Sequence, residues 1–219
     1  MCLRKVTVTL RMSRGERVDL YVFGAGQIAE VAAYYFRERG GIDEQYFVVD
    51  PGFAPGDHVD GRPVLALDEA LRKANPEQDR WFTAMSSRKR NTLRQAKAEQ
   101  IAAAGFRFDS YIHPSAEVWR GFRTPPNTIV MENNILQYKC SLGENSIIWS
   151  SNHIGHHTQV GANTFITSEV VISGSCTIGD NCFFGVNATT FDNISVGDRA
   201  IIGAGAVARS DIPSGAVVT

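Results

Sequence analysis

Three of the five histidines in this 219-residue chain lie within residues 152–157. A neutral imidazole is the usual general base near neutral pH, so a histidine in a groove can take a proton from an attacking amine or hydroxyl. Histidines are also zinc ligands. No histidine follows His157, and His113 is the only distant one in the second half of the chain, so we expect no metal. An exposed corner without function is the remaining interpretation.

The part of the chain that holds these histidines repeats every six residues. Steps of six from Ile112 to Ile202 meet an aliphatic or aromatic residue at every position except Thr124 and Thr190. An 18-residue repeat is superimposed, with an apolar residue followed by Gly at 142, 160, 178 and 196. Three hexapeptides therefore form one turn of a three-sided coil, and stacked coils bury the apolar column. We predict a parallel β-helix over residues 110–219.

The coil register places the histidines. Ile154 points inward, so His156 and His157 fall at a corner and project outward. Gly174 lies 18 residues after His156, one coil further along. A glycine there leaves room beside the imidazole, and its N–H is not shielded by a side chain. The same register places Cys140, Cys176 and Cys182 at small inward sites, where we expect a packing role rather than redox or metal chemistry.

The region before the coils alternates between strand and helix patterns. Residues 18–23, 46–50 and 81–85 are predicted strands. Residues 27–39, 68–73 and 91–104 are predicted helices, the second of them capped by Asp68. This alternation predicts a parallel sheet with right-handed crossovers. We therefore divide the chain into an N-terminal tail (1–17), an α/β domain (18–109) and the β-helix (110–219).

A glycine-rich turn joins the first strand to the first helix. Gly24, Gly26 and Gln27 are placed to meet a phosphate at the helix N-terminus. Asp50 ends the next strand, where an acidic residue often contacts a ribose or base, and Arg88 could meet a diphosphate. About ninety residues make roughly half of a dinucleotide fold, which favours one nucleotide over NAD. A turn without ligand and a solvated basic loop are the alternatives.

Residues 23–29, residues 111–116 and the coils together resemble the hexapeptide-repeat sugar acyltransferases of the sialic-acid O-acetyltransferase and bacillosamine N-acetyltransferase type. The resemblance implies a small Rossmann-like domain that holds a nucleotide-linked sugar, and a left-handed β-helix that holds acetyl-CoA or another acyl-CoA. It also implies a homotrimer with active sites between neighbouring subunits. Such proteins serve the synthesis of lipopolysaccharide, capsule and glycan sugars.

The resemblance also assigns residues. His156 aligns with the catalytic histidine, the Gly174 amide polarises the thioester carbonyl, and Gly203, Ala204 and Gly205 line the pantetheine arm. An acidic residue commonly follows the catalytic histidine, whereas this chain has His157. The group that orients His156 is therefore open, with Glu169 and Asn152 as candidates.

Composition limits the kinds of partner and location that we expect for the protein. A net charge of −1 argues against nucleic acid, no apolar stretch is long enough to span a bilayer, and no signal peptide is evident, so we expect a cytoplasmic protein. We predict an enzyme that moves an acetyl or other short acyl group from acyl-CoA to an amine or hydroxyl of a nucleotide-linked sugar. The alternatives are a non-catalytic trimeric nucleotide-binding scaffold and a zinc-dependent β-helix enzyme resembling the hexapeptide-repeat carbonic anhydrases.

Overall fold

The computed structural model describes residues 18–219, so the predicted tail at 1–17 lies outside the described residues. The first part of the described chain is a six-stranded sheet with the order β3-β4-β2-β1-β5-β6. All neighbours are parallel except the β3–β4 hairpin. The strands are β1 Leu20–Phe23, β2 Gln45–Val49, β3 His58–Val59, β4 Arg62–Ala66, β5 Arg80–Thr83 and β6 Arg107–Phe108. The three predicted strands correspond to β1, β2 and β5, whereas β3, β4 and β6 were not predicted.

Three helices connect these strands: α1 Gln27–Arg39, α2 Leu67–Lys73 and α3 Thr92–Ala103. Helix α1 has the predicted limits and buries Ala29, Ala32, Ala33 and Phe36 as one apolar stripe. The predicted cap of α2 is wrong, because Ala66 occupies the N-cap position. Asp68 lies inside the first turn, where its carboxylate pairs with Arg72 at 3.1 Å. No helix within residues 18–219 is long and apolar enough to cross a membrane.

The rest of the chain forms stacked coils whose strands have two residues each and build three parallel sheets. The first sheet contains β7 Tyr111–Ile112, β9 Ile129–Val130, β12 Ile147–Ile148, β15 Phe165–Ile166, β18 Phe183–Phe184, β21 Ile201–Ile202 and β23 Val217–Val218. The second contains β8 Glu117–Val118, β10 Ile135–Leu136, β13 His153–Ile154, β16 Val171–Ile172, β19 Thr189–Thr190 and β22 Val207–Ala208. The third contains β11 Ser141–Leu142, β14 Gln159–Val160, β17 Thr177–Ile178 and β20 Ser195–Val196.

The predicted six-residue register is confirmed. From Val130 to Ala208 every sixth residue is buried, and strands pair with partners 18 residues away, as His153 does with Val171. The parallel sheets and the hexapeptide pattern fit a left-handed parallel β-helix. The pattern is less regular near the ends. Pro125 and Pro126 cannot donate ladder hydrogen bonds, and the first coil has no strand on the third sheet, although it keeps the 18-residue pairing of Tyr111 with Ile129. At the other end Ile212 meets Val196 across a coil that is two residues shorter.

The three sheets form the three faces of the β-helix, and these faces differ in the surroundings of their outward side chains. On the first sheet Tyr111, Ile129, Ile147 and Phe165 are buried against α1 and the α/β sheet, and we term this side the covered face. The third sheet presents the polar side chains of Ser141, Gln159, Thr177 and Ser195, and is the polar face. The second sheet is the apolar face, because Ile135, Val171 and Val207 remain 39%, 39% and 40% exposed on it, where they alternate with Glu117, His153 and Thr189.

The buried side chain of Arg94 on α3 ties the α/β region to the coils. Its guanidinium donates to the backbone oxygens of Asn145 and Asn163 at 3.1 and 2.8 Å, and to Asn91 Oδ1 at 2.9 Å. Burial lowers the pKa of Arg94 to about 9, so the group remains charged at neutral pH. Asn127 extends this contact by accepting the Thr83 N–H at 2.9 Å. The position of the α/β region on the covered face is therefore set by directed hydrogen bonds as well as by apolar packing.

Candidate active site

Residues 155–158 form the corner between β13 on the apolar face and β14 on the polar face, and we term it the histidine corner. Ile154 is fully buried, whereas His156 and His157 are exposed. The prediction that both imidazoles project outward is confirmed. The backbone of this corner is fixed from the preceding coil, because Gln137 Oε1 accepts the His156 N–H at 3.0 Å. Gln137 was not predicted as a site residue.

The imidazole of His156 lies directly over Gly174, as predicted from their spacing. A β-carbon built on Gly174 would stand 2.6 Å from His156 Cε1 and 2.8 Å from Nε2, but 3.1 Å from Nδ1. Any side chain at residue 174 would therefore have to displace the ring. The Cε1–Nε2 edge faces this glycine, which leaves Nε2 beside the backbone of the next coil.

The amide of Gly174 is open. Within residues 18–219 no acceptor is paired with its N–H. Equivalent amides at another corner are closed by carboxylates, since Asp180 Oδ1 accepts the Ala162 N–H at 2.7 Å and Asp198 Oδ1 accepts the Asp180 N–H at 2.9 Å. An unpaired donor beside a histidine is the arrangement that an oxyanion site requires.

The ring of His157 contacts the ring of His156. Its Nδ1 lies 3.2 Å from Nδ1 of His156, and the two rings are nearly perpendicular. The other side of His157 meets the ring of Tyr138 edge-on at 5.7 Å. His157 has a φ of 60°, the left-handed conformation that recurs every six residues at the coil corners.

The two residues considered as orienting groups lie elsewhere. Asn152 is buried, where it accepts the Val170 N–H at 2.7 Å and donates to the Trp149 carbonyl at 2.5 Å. Glu169 is exposed at the corner that precedes β16, across the apolar face from the histidine corner. Neither contacts His156 in this chain, so both assignments are wrong within one subunit.

Gly203, Ala204 and Gly205 form the corner between β21 and β22. This corner borders the opposite edge of the apolar face from His156, and Ala204 and Gly205 are exposed there. The structure therefore does not bring the predicted pantetheine-lining residues to the histidine corner of the same subunit.

The glycine-rich turn has two parts with different roles. Gly24 has a φ of +124°, and a β-carbon on it would stand 2.6 Å from the Ala84 carbonyl oxygen. Gly24 is therefore needed because the chain segments that follow β1 and β5 approach each other closely at this point. Gly26 is the N-cap of α1 and is exposed, and a β-carbon there would meet nothing within 4 Å. Gln27, the first residue of α1, is exposed beside it.

Two further predicted residues lie at the same edge of the sheet. Asp50 follows β2, and its carboxylate is paired with Lys97 Nζ of α3 at 2.5 Å. Lys97 was not predicted, because no local signal marks a lysine on an ordinary helix as the partner of a distant aspartate. Arg88 is exposed in the segment between β5 and α3. Gly26, Gln27, Asp50 and Arg88 thus all follow the carboxyl ends of parallel strands.

Three cysteines lie inside the coils. Cys140, Cys176 and Cys182 are buried and free, and burial raises the pKa of Cys140 to about 12 and that of Cys182 to about 11. Thiols of this kind are poor nucleophiles and fill space in the coils. Among residues 18–219 no group of three or more His, Cys, Asp or Glu side chains is arranged to hold a metal ion.

Comparison with known proteins bears on the fold and the kind of enzyme. A family model described as the hexapeptide repeat of succinyl-transferase matches residues 176–207. A search of curated proteins finds no significant match. The acetyltransferase domain of PglB from Neisseria gonorrhoeae FA1090 is 28% identical with a TM-score of 0.83, over 92% of this chain and 96% of that chain. The same domain has been solved in complex with acetyl coenzyme A.

A second similar structure contains CoA together with a nucleotide-linked sugar. A histidine-to-asparagine mutant of perosamine N-acetyltransferase from Caulobacter crescentus, in complex with CoA and GDP-perosamine, is 26% identical with a TM-score of 0.82, over 91% of this chain and 92% of that chain. WeeI from Acinetobacter baumannii AYE, at 16% identity and a TM-score of 0.81 over 91% and 95% of the two chains, shares the fold. The predicted resemblance to hexapeptide-repeat sugar acetyltransferases is confirmed.

Proposed function

We propose that this protein transfers an acetyl group from acetyl-CoA to the amine of a nucleotide-linked sugar. The observation that carries the proposal is the His156 imidazole lying over the open amide of Gly174. It occurs in a chain that matches CoA-bound acetyltransferases over more than 90% of its length. The perosamine enzyme, bound to CoA and GDP-perosamine, favours an amine over a hydroxyl as the acceptor.

The geometry supports direct transfer between two bound substrates. Nε2 of His156 takes a proton from the sugar amine as the nitrogen attacks the thioester carbonyl carbon. The Gly174 N–H donates to the oxygen on which negative charge develops. The carbon–sulfur bond then breaks, CoA leaves as the thiolate, and the proton held by His156 is returned to it or to solvent. The three cysteines of the coils are unsuited to form an acyl-enzyme, because their side chains are buried and cannot reach a bound thioester.

The nucleotide part of the sugar substrate is assigned to the α/β region, which we describe as a Rossmann-like domain over residues 18–109. Strand β1 lies between β2 and β5, so the chain changes direction across the sheet beside β1. Ligands of open α/β sheets bind at the carboxyl ends of strands at this kind of switch point. Gly26 and Gln27 at the start of α1 would hold the diphosphate, with Arg88 as a further cation. Asp50 would contact the ribose or base only after exchanging its bond with Lys97.

We propose a homotrimer in which each active site is shared between two subunits. The covered face is occupied by the α/β region and the polar face suits water, which leaves the apolar face to pack against other copies. The histidine corner and the Gly203–Gly205 corner border opposite edges of this face. Cyclic packing would then place Ala204 and Gly205 of one subunit along the same groove as His156 of the next, between two and three coils further along the β-helix axis. The cytoplasmic location also remains a prediction.

The test is an assay of CoA thiol release with acetyl-CoA and a panel of UDP-, GDP- and dTDP-linked amino sugars. The proposal predicts release that depends on one class of sugar, with a product that has gained one acetyl group by mass spectrometry. The non-catalytic scaffold predicts binding of the nucleotide sugar without release. Release with a hydroxyl sugar that has no amine would instead assign the protein to O-acetylation.

A further inference from the structure

We propose that His157 is the positioning residue of the base, and that it acts as an uncharged hydrogen-bond acceptor. The inference rests on the proposed function of His156. Its observation is the 3.2 Å distance between the Nδ1 atoms of the two rings, at a corner where the other ring nitrogen of His156 faces Gly174. No carboxylate within residues 18–219 forms a hydrogen bond with His156, so an ion pair does not hold it.

The distance restricts the proton positions in the pair. Two Nδ1 atoms at hydrogen-bond distance need one proton between them, because two lone pairs or two N–H groups would repel. If His157 were the donor, His156 would have its own proton on Nε2 and could not act as a base there. His156 must therefore have the proton on Nδ1 and donate it to His157. His157 is then neutral, with its proton on Nε2.

The surroundings of His157 fix it in the accepting orientation. Its backbone is in the left-handed conformation, with φ of 60°, and the edge-on contact with Tyr138 closes one side of the ring. Two charged side chains lie at the same corner in other coils: Lys139, whose Nζ lies 5.3 Å from the centre of the Tyr138 ring, and Asp192, two coils beyond His156.

An uncharged acceptor has a consequence for the reaction. Before transfer the pair has no net charge, and the imidazolium that forms on His156 keeps its Nδ1–H···Nδ1 bond to His157 throughout. Protonation of His157 removes its Nδ1 lone pair, which breaks the bond and releases the His156 ring. His156 is therefore held in the orientation needed for proton transfer only while His157 is neutral.

Two substitutions separate orientation from general structural effects. His157→Asn places an amide oxygen where Nδ1 stands, keeps the acceptor, and suits the left-handed corner, which Asn occupies at 133, 145, 163, 181, 187 and 193. His157→Leu fills similar space without an acceptor. We expect kcat of the Asn variant to stay within about threefold of wild type. That of the Leu variant should fall roughly tenfold to a hundredfold, the usual range for loss of an orienting partner, with KM for acetyl-CoA unchanged.

Nitrogen-15 NMR of histidine-labelled protein tests the proton positions without any substrate. The inference predicts a protonated Nδ1 and bare Nε2 on His156, and the opposite tautomer on His157. The reverse tautomers, or equal loss of kcat in the Asn and Leu variants, would overturn it. Correct tautomers in a protein that acetylates no sugar would reject the proposed function while leaving the pairing of the rings intact. Acetylation with the reverse tautomers would reject the pairing alone.

Discussion

The Cε1–Nε2 edge of His156 occupies the space in which a β-carbon of residue 174 would stand, so the ring rests on Gly174 without an intervening side chain. This contact joins consecutive coils of the β-helix and places a proton acceptor beside an unpaired backbone donor. It follows from the 18-residue repeat, because residues at the same corner of successive coils stack. The backbones of both residues therefore keep their places through the ladder hydrogen bonds of the β-helix.

Gly174→Ala should reduce turnover while leaving the fold intact. The added methyl group would stand 2.6 Å from His156 Cε1, so the exposed imidazole must rotate away from the open amide. We expect kcat to fall by about 10²-fold, the lower part of the range for loss of a general base. Thermal unfolding should change little, because the displaced group is a mobile side chain.

Gly185→Ala is the matched control for that substitution. Its β-carbon would stand 2.4 Å from the Ala204 backbone nitrogen, which cannot move without separating two coils. We expect a clear loss of thermal stability in this variant. If Gly174→Ala lost stability and Gly185→Ala did not, the assignment of the two contacts would be contradicted.

Gly26→Val should weaken binding of the nucleotide sugar and leave acetyl-CoA binding unchanged. The position has open space around it and a φ of −108°, so valine causes no backbone strain, but its branched side chain would shield the first amides of α1. Calorimetry with each ligand measures the two affinities separately. Gly24→Val is unsuited to this purpose, since its β-carbon would overlap the Ala84 carbonyl oxygen. Unchanged affinity for the nucleotide sugar in Gly26→Val would contradict the phosphate assignment.

Val171→Asp should dissociate the proposed trimer, because it places a carboxylate in the centre of the apolar face. Size-exclusion chromatography with light scattering measures the oligomeric state. Gln159→Asp, on the polar face, is the control and should leave the mass unchanged. A Val171→Asp protein that remained trimeric would show that another face is used.

A complementation experiment extends the trimer prediction to the shared active site. His156→Ala and Ala204→Trp should each be inactive alone, because one lacks the base and the other blocks the proposed acyl-CoA surface. After unfolding and reassembly together, about a quarter of interfaces should combine two intact halves and recover roughly that share of activity. Mixed trimers without activity would argue that each site lies within one subunit.

Arg94→Met should separate the α/β region from the coils. The substitution leaves the buried carbonyl oxygens of Asn145 and Asn163 without donors, and each such group costs about 1–3 kcal/mol. For two such groups we expect a loss of about 2–6 kcal/mol in the free energy of unfolding, measured by denaturant titration. Arg72→Met, which removes only the exposed pair with Asp68, should cost less than about 1 kcal/mol. Equal costs would contradict the role of Arg94.

The coils could be predicted from the sequence because their spacing is regular. Every sixth residue points inward, so the register that buries Ile154 and Ile172 also fixes the corner of His156 and Gly174. Helix α1 was predicted at its true limits because an apolar stripe ends at a glycine. In contrast, β3 and β6 have only two residues each and β4 contains Pro63, so no alternating pattern marked them.

The contacts that depend on distant side chains could not be predicted. Asp50 has the position expected for a ribose contact, but its bond to Lys97 depends on how α3 packs on the sheet. The sequence placed His157 among the catalytic residues, but its proposed orienting role was not predicted, because that role depends on the left-handed corner that turns one imidazole toward its neighbour. The recurrence of Asn every six residues was the available signal for that conformation.

The role of His156 as the base for acetyl transfer is tested most directly by comparing turnover of wild type, His156→Ala and His58→Ala with saturating acetyl-CoA and the preferred amino sugar. His58 is exposed in β3, away from the histidine corner, and its substitution should leave turnover unchanged. His156→Ala should lose about 10²–10⁴-fold in kcat, with acetyl-CoA affinity retained by calorimetry. A His156→Ala enzyme that released CoA at the rate of His58→Ala would show that His156 is not the base.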